Sequence, residues 1–402
     1  MMYILYGDGV HDDAPAIQEM LDSGLSEIAL PAPKARYAIG ATLKVYSGQT
    51  LRLPETAEIR LLPGSSCHML TNAQRPAHDI VITGGIWNYD NVNQAPNPIL
   101  TRRDETNKNS HLSANPDFVA TYETIGALGV CLSFDHITRF SIHDLTVKNP
   151  VTFSMRLAYV THFTVENIRF DMNLGNPTAE NMDGIHVDGG CRFGYIHNIQ
   201  GTCYDDIVAL NADDCYDGPL SDIVVDGVFG ADSLRGVRLL STNSEMKNIT
   251  VQNVYGTYYQ NCIGLTYFFP RIEGRRGKMR HITLRNIHGR NAPRRPEYRK
   301  GDNSYYFFSY IWVDGDIDVD SLVIDGLYRD EEIAHVETLK VCKGARIHTL
   351  SLSNVLQQNK TDAPETFFLN EGEIDRLYMY NVDVGEDLLL DNKGTIKKIS
   401  EM

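Results

Sequence analysis

The chain of 402 residues contains no window of eighteen apolar residues, which excludes a membrane-spanning helix. It has no basic, apolar leader either. Met1-Met2-Tyr3-Ile4-Leu5-Tyr6 runs straight into Gly-Asp-Gly, so no secretory signal is read and cytoplasmic residence is the expectation. No Cys-x-x-Cys occurs. The seven cysteines (Cys67, Cys131, Cys191, Cys203, Cys215, Cys262, Cys342) are scattered and odd in number, which points to buried free thiols rather than a disulfide frame or a metal site. Positive charge is in deficit: 37 Lys and Arg against 52 Asp and Glu leave a formal net charge of −15. That removes the basic footprint of a protein that binds nucleic acid or anionic lipid. It also fits poorly with a polyanionic substrate unless a local basic patch intervenes.

What is present is a core-forming composition, 42% hydrophobic and 22% charged. Tyr6-Gly7-Asp8-Gly9 leads through Asp12-Asp13-Ala14-Pro15 into Ala16, Ile17, Met20 and Leu21. This is a helix with Asp12 or Asp13 as cap and Pro15 in its first turn, ending near Ser23-Gly24. Residues 1–27 therefore read as a cap over an all-β body. From Ile28 onward short β-rich strings are split by Gly, Pro, Asn and Asp: Ile28-Ala29-Leu30, Tyr37-Ala38-Ile39, Leu51-Arg52-Leu53, Ile59-Arg60-Leu61 and Ile80-Val81-Ile82. Residues 86–127 break the rhythm and read as an inserted loop forming one wall of a groove.

A repeat then emerges. An apolar-x-apolar string ends in Asn, Asp or Asp-Gly and is followed by an aliphatic residue. The nine aliphatics are Leu145, Ile168, Ile199, Val228, Val254, Ile287, Leu327, Val355 and Val382, separated by 23, 31, 29, 26, 33, 40, 28 and 27 residues. Each copy has strand periodicity, and no intervening segment demands a helix. The pattern describes a parallel β-solenoid with insertions, in one domain spanning 1–402, rather than a leucine-rich or α-solenoid. Asn suits the turn position because it tolerates left-handed backbone and can bond along the stack.

Within this repeat, Asp183 precedes the adjacent pair Asp205-Asp206 by 22 and 23 residues, close to one coil. Coils stack about 4.8 Å apart, so Asp183 stands nearly over the pair. Adjacent strand residues face opposite ways, so Asp205 and Asp206 share a groove only at a strand start or bend. Crowded carboxylates raise at least one pKa, as acid–base chemistry requires.

Asn181-Met182-Asp183-Gly184 and Asp205-Asp206-Ile207-Val208-Ala209 resemble the Asn-Thr-Asp-Gly and Asp-Asp-Cys-Ile/Val-Ala signatures of the family 28 glycoside hydrolases, the polygalacturonase-like right-handed parallel β-helices. The opening segment is similar to the start of many pectate-lyase-superfamily helices, phage tailspikes included. The resemblance implies a single-stranded right-handed parallel β-helix that hydrolyses an oligo- or polysaccharide with inversion and without a cofactor or metal. It makes Asp205 the general acid, with Asp183 and Asp206 activating water across roughly 6.5–9.5 Å.

The chain departs from that family at the next two coils. Arg235 stands where the family has His, and Ile263-Gly264-Leu265-Thr266-Tyr267-Phe268 lacks the family's uronate-binding cations. Arg235 and Arg238 either replace that charge or pair with Asp205 or Asp213 to stabilise the stack. Tyr267 is either a sugar platform or core. His186 and Asp188 alternate with Ile185 and Val187, so they face outward into the groove, His186 as a substrate contact or proton relay. Asp213-Asp214 binds a cation or hydroxyls, or caps a turn. Arg271, Arg275, Arg276, Lys278 and Arg280 form a basic loop that meets an anionic sugar or is simply solvated. Tyr305-Tyr306-Phe307-Phe308 lines a groove or subunit contact, or is an interior strand. Two other classes stay open: a uronate lyase or epimerase on the same fold, and a non-catalytic, tailspike-like glycan binder. The expected partner is carbohydrate, with neither nucleic acid nor membrane; homo-oligomerisation stays open.

Overall fold

A strand in a parallel sheet needs hydrogen-bonding partners on both edges, and a chain that coils upward supplies them from the turn before and the turn after. The computed structural model describes residues 4–97, 129–268, 270, 272–293 and 308–401. Its strands pair in parallel, coil upon coil, and form an all-β parallel β-helix. The nine aliphatics of the repeat fall in one register column: Leu145 on Ile168, Ile199, Val228, Val254, Ile287, Leu327, Val355 and Val382. All but the half-buried Val382 are buried, and the apolar core is continuous from Ala14 to Val384.

The repeat's Asn, Asp or Gly position bends the chain at each coil. Asp144, Asn167, Asn198, Gly227, Asn253, Asn286, Gly326, Asn354 and Asn381 all have φ between 52° and 80°. This left-handed region costs ordinary residues about 1–2 kcal/mol. The amides bond along the stack as well: Asn167 donates to Asp144 at 2.7 Å, Asn198 to Asn167 at 2.8 Å, Asn286 to Asn253 at 3.1 Å and Asn381 to Asn354 at 2.9 Å.

The N-terminal helix spans Ala14–Leu21 and buries Ala14, Ala16, Ile17 and Leu21. Of the two candidate aspartates, Asp12 bonds the start of the helix and Asp13 does not. Asp13, which precedes the helix, makes no side-chain cap bond. Its carboxylate instead accepts from the Tyr6, Gly7 and Ala38 amides, tying the N-terminal segment to the first coil. Asp12 accepts from the Ala14 and Gly40 amides at 2.9 Å each. Gln18 on the helix bonds both backbone groups of Lys44, on the first strand of the site-bearing sheet, and so covers polar groups that an edge would expose.

The inserted loop does not begin at residue 86. Ile86–Asn88 is a strand in register with Thr146–Lys148, and Trp87 and Tyr89 lie in the core. The aromatic residues were part of the coil rhythm rather than a break in it. Beyond them Asn91 exchanges side-chain amide bonds with Asn173, and Asn97 donates to the Glu180 carbonyl. The segment thus starts out against the loop that carries Asp183; residues 98–128 lie outside the described residues.

Asn286 is exposed, so its role is local. Asn286→Gly, which keeps the backbone conformation and loses the amide bond, is expected to cost about 1 kcal/mol. Asn286→Ala adds left-handed strain and is expected to cost about 2 kcal/mol or more. Urea unfolding of the two variants reads the difference; equal stabilities would show that the turn does not depend on its φ.

Candidate functional site: three aspartates on one sheet

One sheet of the helix carries Met155–Ala158, Ile185–Val187, Asp206–Asn211 and the C-terminal ends of Leu220–Leu240 and Glu245–Thr266. Met155, Ile185, Val208, Val237 and Ile263 stack inward. One residue along, Arg156, His186, Ala209, Arg238 and Gly264 stack on the opposite face. Asp206 opens its strand and pairs in register with Arg235, which pairs with Asn261. The Gly184 amide donates to the Asp206 carbonyl at 2.9 Å, so Asp183 lies over the pair. Because Asp205 and Asp206 sit at a strand start, both reach the same place.

One carboxylate oxygen from each of Asp183, Asp205 and Asp206 lies within 4.8 Å of the other two. This is closer than the 6.5–9.5 Å that the resemblance implied. Asp205 is 7% exposed, Asp183 1% and Asp206 not at all. Arg235 Nη1 donates to Asp205 at 2.8 Å and approaches Asp206 at 3.4 Å, while its Nε donates to Gln260. Arg238 Nε stands 2.8 Å from Asp206 Oδ2, in an ion pair whose alignment leaves both atoms without a hydrogen bond. Among the described residues Asp183 Oδ1 also has no partner. Burial and the Asp205 charge push Asp183 up to about 7, against the pull of a hydrogen bond from His186. Burial likewise raises Asp206, although Arg238 and Arg235 oppose it.

His186 lies on the outward side of its strand, as the alternation implies, but not in open solvent. It is fully buried, with Phe153 stacked on it at 3.9 Å. Nδ1 bonds Asp183 at 2.6 Å, and Nε2 lies 3.3 Å from Asp188 and 3.1 Å from the Asn211 amide. Burial alone would lower its pKa; the charge of Asp188 and the bonds to Asp183 and Asp188 outweigh it and raise it well above the ordinary value. Arg156, buried beside Asp188 at 2.5 Å, holds that carboxylate below its usual range together with His186, against the burial penalty. The result is a chain of charge, Arg156–Asp188–His186–Asp183, ending on a catalytic candidate. Arg156 and Asn211 were not singled out from sequence. The available signal was their place on the outward face of strands flanking the acids.

The other candidates separate cleanly. Asp213 accepts from the Thr242, Asn243 and Ser244 amides at 2.7–2.8 Å and caps that turn. Asp214 faces the site, 3.8 Å from His186 and 3.9 Å from Arg238. Tyr267 is half-buried and donates its hydroxyl to the Arg275 carbonyl at 2.5 Å. Of the basic loop, Arg276 pairs with Asp316 and Asp318, and Arg280 with Glu245 and Asp320, so these cations stabilise the stack. Arg271 and residues 305–307 lie outside the described residues, and Phe308 stacks on Trp312. Among the described residues two sets could converge on a cation: the three aspartates, and His186, Asp188 and Cys215. In both, guanidinium groups already supply the counter-charge: Arg235 and Arg238 for the first, Arg156 for the second. All seven cysteines are free thiols, six of them buried.

No family model matches the chain, and no curated protein matches it. Solved structures do. The fold is shared with a family 28 exopolygalacturonase. That enzyme, from Yersinia enterocolitica, superposes with a TM-score of 0.54 at 13% identity, over 93% of this chain and 76% of its own. The tailspike of Escherichia coli bacteriophage HK620, solved with a pentasaccharide, gives 0.60 at 12% identity, over 97% and 65%. PfbA, a surface adhesin of Streptococcus pneumoniae, gives 0.50 at 15% identity, over 99% and 90%. At these identities the likeness concerns the fold.

Arg238→Met leaves the buried Asp206 short of its nearest cation. Stability at pH 8 is expected to fall by about 3 kcal/mol. The variant's Asp206 carries a still higher folded pKa, so its protonated state is favoured and the deficit shrinks as pH falls. Urea unfolding at pH 8 and pH 5 checks this. A deficit independent of pH would mean that Arg238 acts by packing alone.

Proposed function

We propose that the chain is a glycoside hydrolase acting on an oligo- or polysaccharide through Asp183, Asp205 and Asp206. The observation that carries this reading is the convergence of three carboxylates in one place, two of them with an oxygen that makes no hydrogen bond among the described residues, Asp206 Oδ2 having only its ion pair with Arg238. Asp183 Oδ1 and Asp206 Oδ2 are suited to hold a water molecule, and a base near pKa 7 is well matched to activating it at neutral pH. Asp205, the most exposed of the three, takes the role of general acid from the sequence resemblance, and the Arg235 guanidinium bonded to it has to release the carboxyl for it to carry the proton. His186 favours the ionised form of Asp183 and orients the carboxylate through the 2.6 Å bond. Inversion is the stereochemical outcome carried by the sequence resemblance; proton NMR of the first-formed anomer decides it, since the close carboxylate spacing does not.

A lyase needs a free base. Arg235, the residue at the matching coil, is instead bonded to Asp205 and Gln260. The non-catalytic reading predicts glycan binding without turnover. A panel of neutral and uronic oligosaccharides, followed by reducing-sugar release and by ultraviolet absorbance of unsaturated products, separates the three. Asp205→Asn is expected to lower reducing-sugar release at least a thousandfold while leaving binding intact. The assignment fails if every substrate behaves the same with wild type and variant.

The pH profile reads the base. Asp183 must be deprotonated, so activity is expected to fall on the acid side through about pH 7. His186→Asn removes a group that lowers the Asp183 pKa, so the acid limb should move to higher pH. An unmoved limb with reduced rate would make His186 structural only.

A further inference from the structure

Where the chain turns from one sheet into the site-bearing sheet, a trough of about 570 Å³ opens on the surface. Its floor has no side chains. Gly201, Gly230 and Gly256 stack in register, and a Cβ on Gly201 or Gly256 would come within 2.2 or 1.9 Å of a carbonyl oxygen on the coil before. One wall is the end of an aromatic column: Phe229 and Tyr255 line the trough, and His288 and Tyr328 continue the column on successive coils beyond it. Phe229 and Tyr255 stack at 5.4 Å and 9°, and Tyr255 and His288 at 5.1 Å. The column stops at Phe229. The next two positions in register are Gln200 and Arg169, both exposed, and Phe229 is itself 43% exposed.

The chemistry at the end of the column is that of a sugar site. A pyranose offers an apolar C–H face and a rim of hydroxyls. Here an exposed aromatic ring borders an amide and a guanidinium over a floor that lets a ring lie close to the backbone. The volume falls within the range of small-molecule sites. Tyr204 lines the trough and is the residue before Asp205. Gly201 on the floor is four residues from Asp205, at most about 14 Å along the chain.

We propose that this trough is a saccharide subsite outside the catalytic cluster, taking sugar residues of the same glycan chain whose scissile bond lies at Asp205. It rests on the hydrolase reading for its direction toward Asp205, but its ligand class stands on the trough itself. Phe229 supplies the stacking surface, and Gln200 and Arg169 bond the hydroxyls.

Affinity electrophoresis in native gels tests it, with polygalacturonate, rhamnogalacturonan, arabinogalactan and galactan as probes. The Asp205→Asn protein is used so that no polymer is consumed. At least one polymer is expected to retard it. Adding Phe229→Ala should weaken that retention about tenfold, Gln200→Ala should weaken it in the same direction, and Phe229→Trp should preserve it. The inference is overturned if no polymer retards the protein, or if retention is the same with and without Phe229 and Gln200. Turnover is read separately, with Asp205 present. Polymer retention through Phe229 without any hydrolysis would sink the hydrolase reading and leave the trough. Hydrolysis with retention indifferent to Phe229 would do the reverse.

Discussion

The in-register stacking of parallel coils is the constraint on which everything else in this molecule depends. Each strand's backbone groups find partners only on the coils above and below. Once that register is set, any residue recurring at the same place in the repeat must lie on its counterpart about 4.8 Å away. The aliphatic column from Leu145 to Val382 is one consequence, and the left-handed Asn column from Asn167 to Asn381 is another. The Gly201–Gly230–Gly256 column, where the preceding coil's backbone leaves no space for a Cβ at Gly201 and Gly256 and the Tyr258 ring leaves none at Gly230, is a third.

The same geometry that stacks apolar residues to advantage stacks charges at a cost. Asp183 is laid over Asp205 and Asp206 out of contact with bulk water, where three carboxylates cannot all stay ionised unaided. The next coil answers with Arg235 and Arg238, and the coil before with Arg156 acting through Asp188 and His186. Such buried networks rarely favour stability over an apolar alternative. Here the network surrounds two carboxylate oxygens, Asp183 Oδ1 and Asp206 Oδ2, that lack a hydrogen-bond partner among the described residues, and such buried unsatisfied groups are rare in folded proteins.

Much of this was legible in residue order. The repeat's aliphatics are the column that forms, and its Asn and Gly residues are the left-handed bends. The spacing from Asp183 to Asp205-Asp206 placed the acids together. Other features were misread for identifiable reasons. Trp87 and Tyr89 looked like the start of a loop because the following residues are polar; they are core, and Ile86–Asn88 pairs with Thr146–Lys148. Asp13 looked like a helix cap because it precedes Pro15; its carboxylate serves a neighbouring coil instead.

The sequence by itself determined the coil and the meeting of the three aspartates, because both follow from periodicity in a chain whose neighbours are always one repeat away. Only the tertiary structure decided what surrounds those aspartates. Alternation says that His186 faces outward. It cannot say that Phe153 covers the ring, that Arg156 reaches Asp188 from the previous coil, or that Arg235 and Arg238 point back at the acids rather than on toward a ligand. Those facts depend on how far each side chain extends across the stack, and sequence spacing carries no record of that.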